Sequence, residues 1–524
     1  MPVLAHFLSR LPLASCSTRQ ACRSAALLAR MSAFLALAAV AGVIPVAHGY
    51  GDLNHIGLTP LRAAAPELTG AGMTVAQVEA SILRHGNRFE PSCMATGQPC
   101  SKFTFINRLG KVISIQKISA ESEHATRVGR LFYGVKGGSL ATGVCPAVSH
   151  IDVWDAQALY RQLYHSNPSL IPSGQQTAPA VVNQSYVFDH ASVAEMEALD
   201  SVFDDYAARH NTLFISAIGN GLAMTTATSR PSQVNPPADA YNGIAVAAFK
   251  GCTGIGPAWD GRSKPDISAP GRETSYAAPL VSGAATLLLQ AGKEGLGGAT
   301  SAATDIRVIK ALLLNGAVKP AGWTNSYTIY ANTYTFNTPT DFAVTPLDPR
   351  YGSGVLNVYN AYRNLLDGEH SATIATNVDI GVTPKAYPHA AASEPLEGWS
   401  LGFSNTRAGS NRLHHYVFDL AGSEATSWNL TATLDWNVTW AGSSLLMNHF
   451  DLDLIDSSGQ VAWSESLIDN VQQIHVTGLA PGTYDLVVME MGAAAPIARS
   501  RYAVAWNFSP VHTLPDSTAN QRHR

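Results

Sequence analysis

The segment Lys264–Gly283, KPDISAPGRETSYAAPLVSG, puts a serine where a sharp turn runs into an apolar helix. Pro270-Gly271 turns the chain, Thr274-Ser275 opens the helix, and Pro279 falls early enough in it to be tolerated. Such a setting suits a nucleophile, because the positive end of a helix favours the negative charge that develops on attack. The serine hydroxyl also needs an imidazole to take its proton, an acid to orient that imidazole, and donors for the oxyanion. Other chemistries lack their residues: there is no HExxH, no P-loop and no GxGxxG ahead of a helix. Ser114–Lys117 spells SIQK, the SxxK spacing of Ser/Lys acylases, but in an alternating strand-like stretch, where it reads as chance.

The elements that would position these groups come in alternation. Met73–Val78, Ala178–Asn183, Thr212–Ala217 and Ile244–Phe249 read as buried strands. Val193–Arg209, Ala277–Leu289 and Asp305–Asn315 read as helices. Strands alternating with helices predict an α/β fold, a parallel sheet with helices on both faces. From Ser400 to Phe508 the pattern changes to short alternating strands (HYVFDL, WNLTATLDW, HFDLDLID, QQIHVTGL, TYDLVVME, RYAVAWNF), separated by turns such as Ser458-Gly459 and Pro481-Gly482. That half is an expected all-β sandwich.

ETSYAAPLVSGAA resembles the serine motif of the subtilisin-like serine peptidases (subtilases), usually GTSMAxPxVSGAA, and KPDISAPG is similar to their KPDxxAPG strand. The resemblance spans about Leu68 to Leu365. FISAIGN, Phe214–Asn220, is similar to the strand ending in AGN, which implies that Asn220 supplies an oxyanion donor, with Gly219 beside the substrate. GIAVAA at Gly243–Ala248 resembles the strand that follows it, and VVNQSY, Val181–Tyr186, resembles the substrate-holding VxNxS strand, which implies Ser185 beside the peptide. EHATRVGRLFYG, Glu123–Gly134, is similar to HGTHVAGIIAG and implies His124 as base. GAGMTVAQVE, Gly70–Glu79, resembles GxGVxVAVID and implies Glu79 as the acid. YGSGVLN, Tyr351–Asn357, resembles the closing YGxGxVD. The implied set is a Ser275–His124–Glu79 triad in a serine endopeptidase working through an acyl-enzyme.

Several positions depart from the family. Glu79 is one methylene longer than aspartate and reaches an imidazole only if the backbone sits about 1.5 Å further back. Glu273 replaces the glycine before Thr-Ser, and Arg127 the second histidine of HGTH. These departures motivate an alternative: a catalytically impaired subtilase fold serving as a surface-binding module. Each site residue also has a plain structural role open to it: Ser275 as helix cap, Asn220 as an Asn-Gly turn residue, His124 as a core histidine, Glu79 as a surface acid. Leu83 argues against a sedolisin-like arrangement, which would place an Asp four residues after the Glu.

Composition sets the outer limits. The 524 residues carry a net charge of −4 and 14% charged residues, against about 25% in an average soluble protein. Near-balance excludes a strongly basic nucleic-acid binder. Residues 1–31 hold Arg10, Arg19, Arg23 and Arg30 and no acid, ahead of an apolar run, Ala33–Ile44, and Ala47-His48-Gly49. That is the layout of a secretory signal cleaved after Gly49, with an N-terminal anchor or a start at Met31 as the alternatives; the run is shorter than the ~20 residues that span a bilayer. The expected organisation is signal peptide 1–49, peptidase domain 50–367, linker 368–398, β-sandwich 399–510 and tail 511–524, with no room for an inhibitory pro-domain and a secreted, periplasmic or cell-surface location. In an exported chain, Cys93–Cys100 is the first expected disulfide and Cys145–Cys252 follows by elimination. No cofactor is expected; calcium is a chemical option at Asp451, Asp453 and Asp456, although a solvated strand face is the plainer reading. NHFDLDLIDSSG…IHVTGLAPGTYDLVV resembles the pre-peptidase C-terminal β-sandwich, which implies an accessory module, with a surface or matrix polymer as partner besides the peptide substrate.

Overall fold

The computed structural model describes residues 53–81, 88–118, 120–135, 142–166, 170, 177–188, 192–221, 233–298, 300–325, 345–376, 393–405, 412–420, 425–491 and 497–511. The expected signal segment and the tail beyond 511 lie outside them. Among the described residues no helix is long and apolar enough to cross a membrane.

The first half is built on an eight-stranded sheet. Its strands are β1 (Thr74–Glu79), β2 (Phe103–Ile106), β3 (Val112–Ile113), β4 (His150–Asp155), β5 (Val181–Gln184), β6 (Leu213–Ala217), β7 (Ile244–Phe249) and β8 (Ile267–Pro270). Their order is β3-β2-β4-β1-β5-β6-β7-β8, parallel except for the short β2–β3 pair. Covered on both faces, the strands need apolar residues in runs rather than in alternation, which is what LFISA and IAVAAF supply. The main helices are α1 (Glu123–Tyr133), α2 (Ala156–Ser166), α3 (Val193–His210), α4 (Thr274–Lys293), α5 (Ile306–Asn315) and α6 (Val358–Leu366). Helix α4 is buried on every side from Thr274 to Gly292. Its small residues admit close neighbours: a Cβ on Gly283 would lie 2.4 Å from Val144 Cβ.

The second half is a sandwich of a four-stranded and a five-stranded antiparallel sheet. Its strands are β9 (Ile374–Thr376), β10 (Glu397–Asn405), β11 (Leu413–Asp419), β12 (Ser427–Trp436), β13 (Thr439–Ala441), β14 (Ser444–Leu446), β15 (His449–Asp456), β16 (Gly459–Ser464), β17 (Val471–Leu479), β18 (Thr483–Met491) and β19 (Arg499–Val511). The sheets run β10-β19-β12-β17 and β16-β15-β18-β11-β9. Residues 377–392 of the expected linker lie outside the described residues, while its flanks, β9 and the start of β10, pair within the sandwich.

Strand β19 shows how one sequence pattern serves two cores. Tyr502, Val504, Trp506 and Phe508 face the sandwich interior, and the alternate Ala503 and Ala505 join the core of the first domain. Small residues on that face let α5 and α6 approach the sheet, and Leu312, Leu313 and Leu314 on α5 are fully buried, each worth about 1.5–3 kcal/mol by leaving water. Polar contacts fix the docking. Asn364 Nδ2 donates to Gly398 O (3.0 Å) and Trp506 O (2.9 Å), Ser263 N donates to Asp469 Oδ1 (2.7 Å), and Asn242 Nδ2 donates to Val438 O (2.9 Å).

Two expectations are corrected here. No disulfide joins the four described cysteines. Cys145 adjoins Thr286 and Phe132, whereas Cys252 bridges to Glu273, thirteen residues earlier on α4; that is about 20 Å of helix, far beyond a disulfide's reach of about 7 Å. Cys93 and Cys100 do adjoin, without a bond between them. Second, Asp451 and Asp453 are not a solvated strand face. Leu452 and Leu454 do face the sandwich core, but the alternate face is also covered, leaving Asp451 and Asp453 buried. Burial, with Glu465 nearby, pushes both up to about 7. Asp456 instead caps a turn, accepting from Ser458 N and Gly459 N. Among the described residues no group of three or more His, Cys, Asp or Glu side chains is arranged to hold a metal.

The two domains share a buried ion pair. Lys310 Nζ on α5 lies 3.0 Å from Asp435 Oδ1 on β12 and donates to Tyr241 O at 2.8 Å. Burial opposes the ammonium, but Asp435 and Asp266 outweigh it and hold Lys310 above the ordinary lysine value. Removing one partner strands the other charge, so Asp435→Ala should lower the unfolding free energy by about 3 kcal/mol or more in a urea titration. A loss within about 0.5 kcal/mol would show that the pair does not brace the docking.

Candidate active site

Every sequence-predicted site residue lies where a strand or helix terminates at the carboxyl edge of the parallel sheet, the edge at which open α/β sheets place their sites. Glu79 ends β1, Ser185 follows β5, Gly219 and Asn220 follow β6, His124 is the second residue of α1, and Ser275 is the second residue of α4.

Glu79 and His124 meet. Glu79 Oε2 lies 2.7 Å from His124 Nδ1. The acid is 3% exposed and the ring 29% exposed. A carboxylate only accepts, so Nδ1 carries the proton and Nε2 keeps its lone pair for another donor. Burial works against protonating the ring and is the largest single effect, but the charge and hydrogen bond of Glu79, with the charge of Glu273, hold His124 above the ordinary histidine value. Helix α1 is started by Ser122, whose hydroxyl accepts from Ala125 N, so the ring sits on a capped first turn.

The serine is held by a polar chain that begins with Pro279. Having no N–H, Pro279 cannot donate to the carbonyl four residues earlier, that of Ser275. Ser185 fills the gap: its Oγ donates to Ser275 O at 2.9 Å. Behind it, Asn183 Nδ2 donates to Ser185 Oγ (2.9 Å) and Ser282 Oγ donates to Asn183 Oδ1 (3.0 Å). The Ser185 hydroxyl is therefore committed to the backbone of Ser275. Ser275 Oγ donates to Ser185 O at 3.4 Å, a long bond, rather than to the imidazole.

Asn220 is turned by Thr274. Its Oδ1 accepts from Thr274 N (2.9 Å) and Thr274 Oγ1 (3.0 Å). The backbone donor identifies the oxygen, so the amide nitrogen is the end directed away from Thr274. Gly219 has φ +105, in the left-handed region, and its carbonyl accepts from Gly254 N at 2.8 Å. Glu273, which stands in for the family's glycine, has φ −141, a conformation open to any residue, and it contributes no side-chain cap to α4.

Three residues at the site were missed in the sequence. Gln77 Nε2 donates to Glu79 Oε1 at 2.8 Å, and Tyr133 donates its hydroxyl to Gln77 Oε1. The available signal was a glutamine between the apolar Ala76 and Val78 of TVAQVE. Tyr276 was also passed over; its ring lies 5.6 Å from that of His124, and it hydrogen-bonds Arg127.

The subtilase family model matches residues 70–354. No curated protein matches the chain in sequence. Among solved structures, similarity is found to tripeptidyl peptidase 2 at 13% identity and TM-score 0.35, covering 74% of this chain and 40% of that one. The CspB protease of Clostridium perfringens is similar at 15% identity and TM-score 0.39, over 61% of this chain and 99% of that one. The pre-peptidase C-terminal domain of a Bacillus anthracis collagenase is similar at 15% identity and TM-score 0.16, over 21% of this chain and 90% of that domain. The chain thus spans less than half the length of the tripeptidyl peptidase.

An NMR titration of the His124 ring should give a pKa above the ordinary value of about 6.5. Glu79→Gln removes the charge that raises it and should bring the pKa down. An unchanged value in that variant would mean that the carboxylate does not act on the ring.

Proposed function

The chain belongs to the subtilase family of serine peptidases, and on that premise we propose that it is an exported endopeptidase cleaving peptide bonds with a Ser275–His124–Glu79 triad. The observation that carries the reading is the 2.7 Å contact between Glu79 and His124, which meets the geometric requirement for an oriented base despite the extra methylene of glutamate. Ser275 Oγ leaves its long bond to Ser185 O, turns to His124 Nε2 and attacks the scissile carbonyl carbon while its proton passes to Nε2. The oxyanion is received by Asn220 Nδ2 and the backbone N–H of Ser275. Collapse breaks the C–N bond as Nε2 returns the proton to the leaving amine, leaving an acyl-enzyme; water then repeats the sequence with the acid product leaving. Glu79 keeps Nδ1 protonated and stabilises the imidazolium without itself taking the proton.

Export rests on the basic and apolar layout of residues 1–49 and on the cleavable Ala47-His48-Gly49. The β-sandwich is read first as a brace for the peptidase domain, because α5 and α6 pack on its four-stranded sheet, and second as an accessory surface for a polymer. The alternative of an impaired, purely binding chain was motivated by Glu79, Glu273 and Arg127, and the contact of Glu79 with the ring removes its main support.

A fluorophosphonate should label the purified full chain, and Ser275→Ala should abolish labelling; equal labelling of both ends the assignment. Hydrolysis of a peptide substrate should fall by about 10⁴ in Glu79→Gln, the factor lost when a triad acid gives up its charge in another protease. Hydrolysis should also fall as pH drops through the His124 pKa, because the imidazolium has no lone pair to offer. Activity flat down to pH about 5 would count against His124 as the base.

A further inference from the structure

We propose that Gln77 is a positioning residue for the triad acid: clamped from behind by Tyr133, it holds the carboxylate of Glu79 in the one orientation that meets His124. The inference rests on the triad reading above and extends it to a buried relay.

Side chains alternate along a strand, so Gln77 and Glu79, two apart on β1, project to the same face. Both are buried, Gln77 completely. Gln77 Nε2 donates to Glu79 Oε1 and to Ala125 O, each at 2.8 Å. Neither a carboxylate nor a carbonyl can donate, so the amide nitrogen must face them and its oxygen must face Tyr133. The tyrosine hydroxyl is then the donor to Gln77 Oε1. Burial, with the charge of Glu79 second, raises the Tyr133 phenol well above its ordinary value, so it stays a donor throughout the working pH range. Both N–H groups and the oxygen of Gln77 are used, which is the condition for keeping an amide inside a strand.

The clamp answers the particular difficulty of glutamate. A glutamate carboxylate has one more torsion to fix than an aspartate. With Oε1 tied to Gln77, only Oε2 is left for Nδ1, and the ring is met at 2.7 Å. Because the same amide nitrogen reaches Ala125 O, the residue after His124, it also ties the acid's strand to the base's helix. Room for the clamp is made on α1 itself: a Cβ at Gly129, one turn before Tyr133, would lie 2.6 Å from the Tyr133 hydroxyl.

The test measures kcat and KM for a peptide substrate from pH 5 to 9 with the full chain. It compares wild type, Gln77→Met, Tyr133→Phe, Glu79→Gln and the double variant Gln77→Met/Glu79→Gln. Gln77→Met should lower kcat about tenfold or more, the factor that one hydrogen bond to a charged group is worth, with KM within about twofold and the acid limb moved to lower pH. Tyr133→Phe, which removes one oxygen atom, should shift both readouts the same way by a smaller amount, and it decides the matter if Gln77→Met does not fold. In the Glu79→Gln background, Gln77→Met should cost less than about twofold, because a residue that acts through Glu79 has nothing left to position. Equal losses in both backgrounds, or a wild-type kcat and acid limb in Gln77→Met or in a sole folded Tyr133→Phe, would overturn the proposal. A Glu79→Gln variant with full activity would instead overturn the triad reading on which it rests.

Discussion

A carboxylate at the buried end of a parallel strand is costly unless partners meet each of its oxygens. Glu79 is met twice, by His124 at Oε2 and by Gln77 at Oε1. Much of the site follows from that constraint. The helix carrying His124 must start where the strand stops, and Ser122 caps it there. Gln77 must be held by something that only donates to its oxygen, and Tyr133 does so from the last turn of the same helix. Glu79 and the helix of His124 are therefore joined both through the Glu79–His124 contact and through the amide nitrogen of Gln77.

Ser275 is placed by a defect rather than by a perfect helix. Pro279 leaves the carbonyl of Ser275 without its helical donor, and the loop after β5 supplies one from Ser185. Asn183 and Ser282 extend the chain back into α4. On the other side, Thr274 draws in Asn220 by its oxygen. The first two residues of α4 are thus tied to the ends of β5 and β6, so the strands that would line the substrate also hold the serine.

The C-terminal sandwich is joined to this framework rather than merely appended to it. Strand β19 sends large side chains into its own core and alanines toward α5 and α6. The interface also takes in charged groups with partners from the other domain, Lys310 against Asp435 and Asp469 accepting from the backbone N–H of Ser263.

Read alone, the sequence determined the fold class, the succession of its strands and helices, and the segments that carry the site, because runs of buried strand residues and the serine motif are local patterns. It singled out Ser275, His124, Asn220 and Glu79 as candidates, and the tertiary structure places Glu79 against the His124 imidazole. What only the tertiary structure decided is everything that depends on distance between segments. Gln77 and Tyr133 lie 56 residues apart and are silent in any window of sequence. Ser185 and Ser275 lie 90 residues apart, and the bond from the Ser185 hydroxyl to Ser275 O has no local signature. Cys145 and Cys252 looked like a pair by elimination until α4 separated them. The alternation of Asp451 and Asp453 marked one face of a strand, but only packing could say whether water reaches that face. Periodicity records which side of an element a residue occupies; the neighbours on that side come from other parts of the chain, and no local pattern names them.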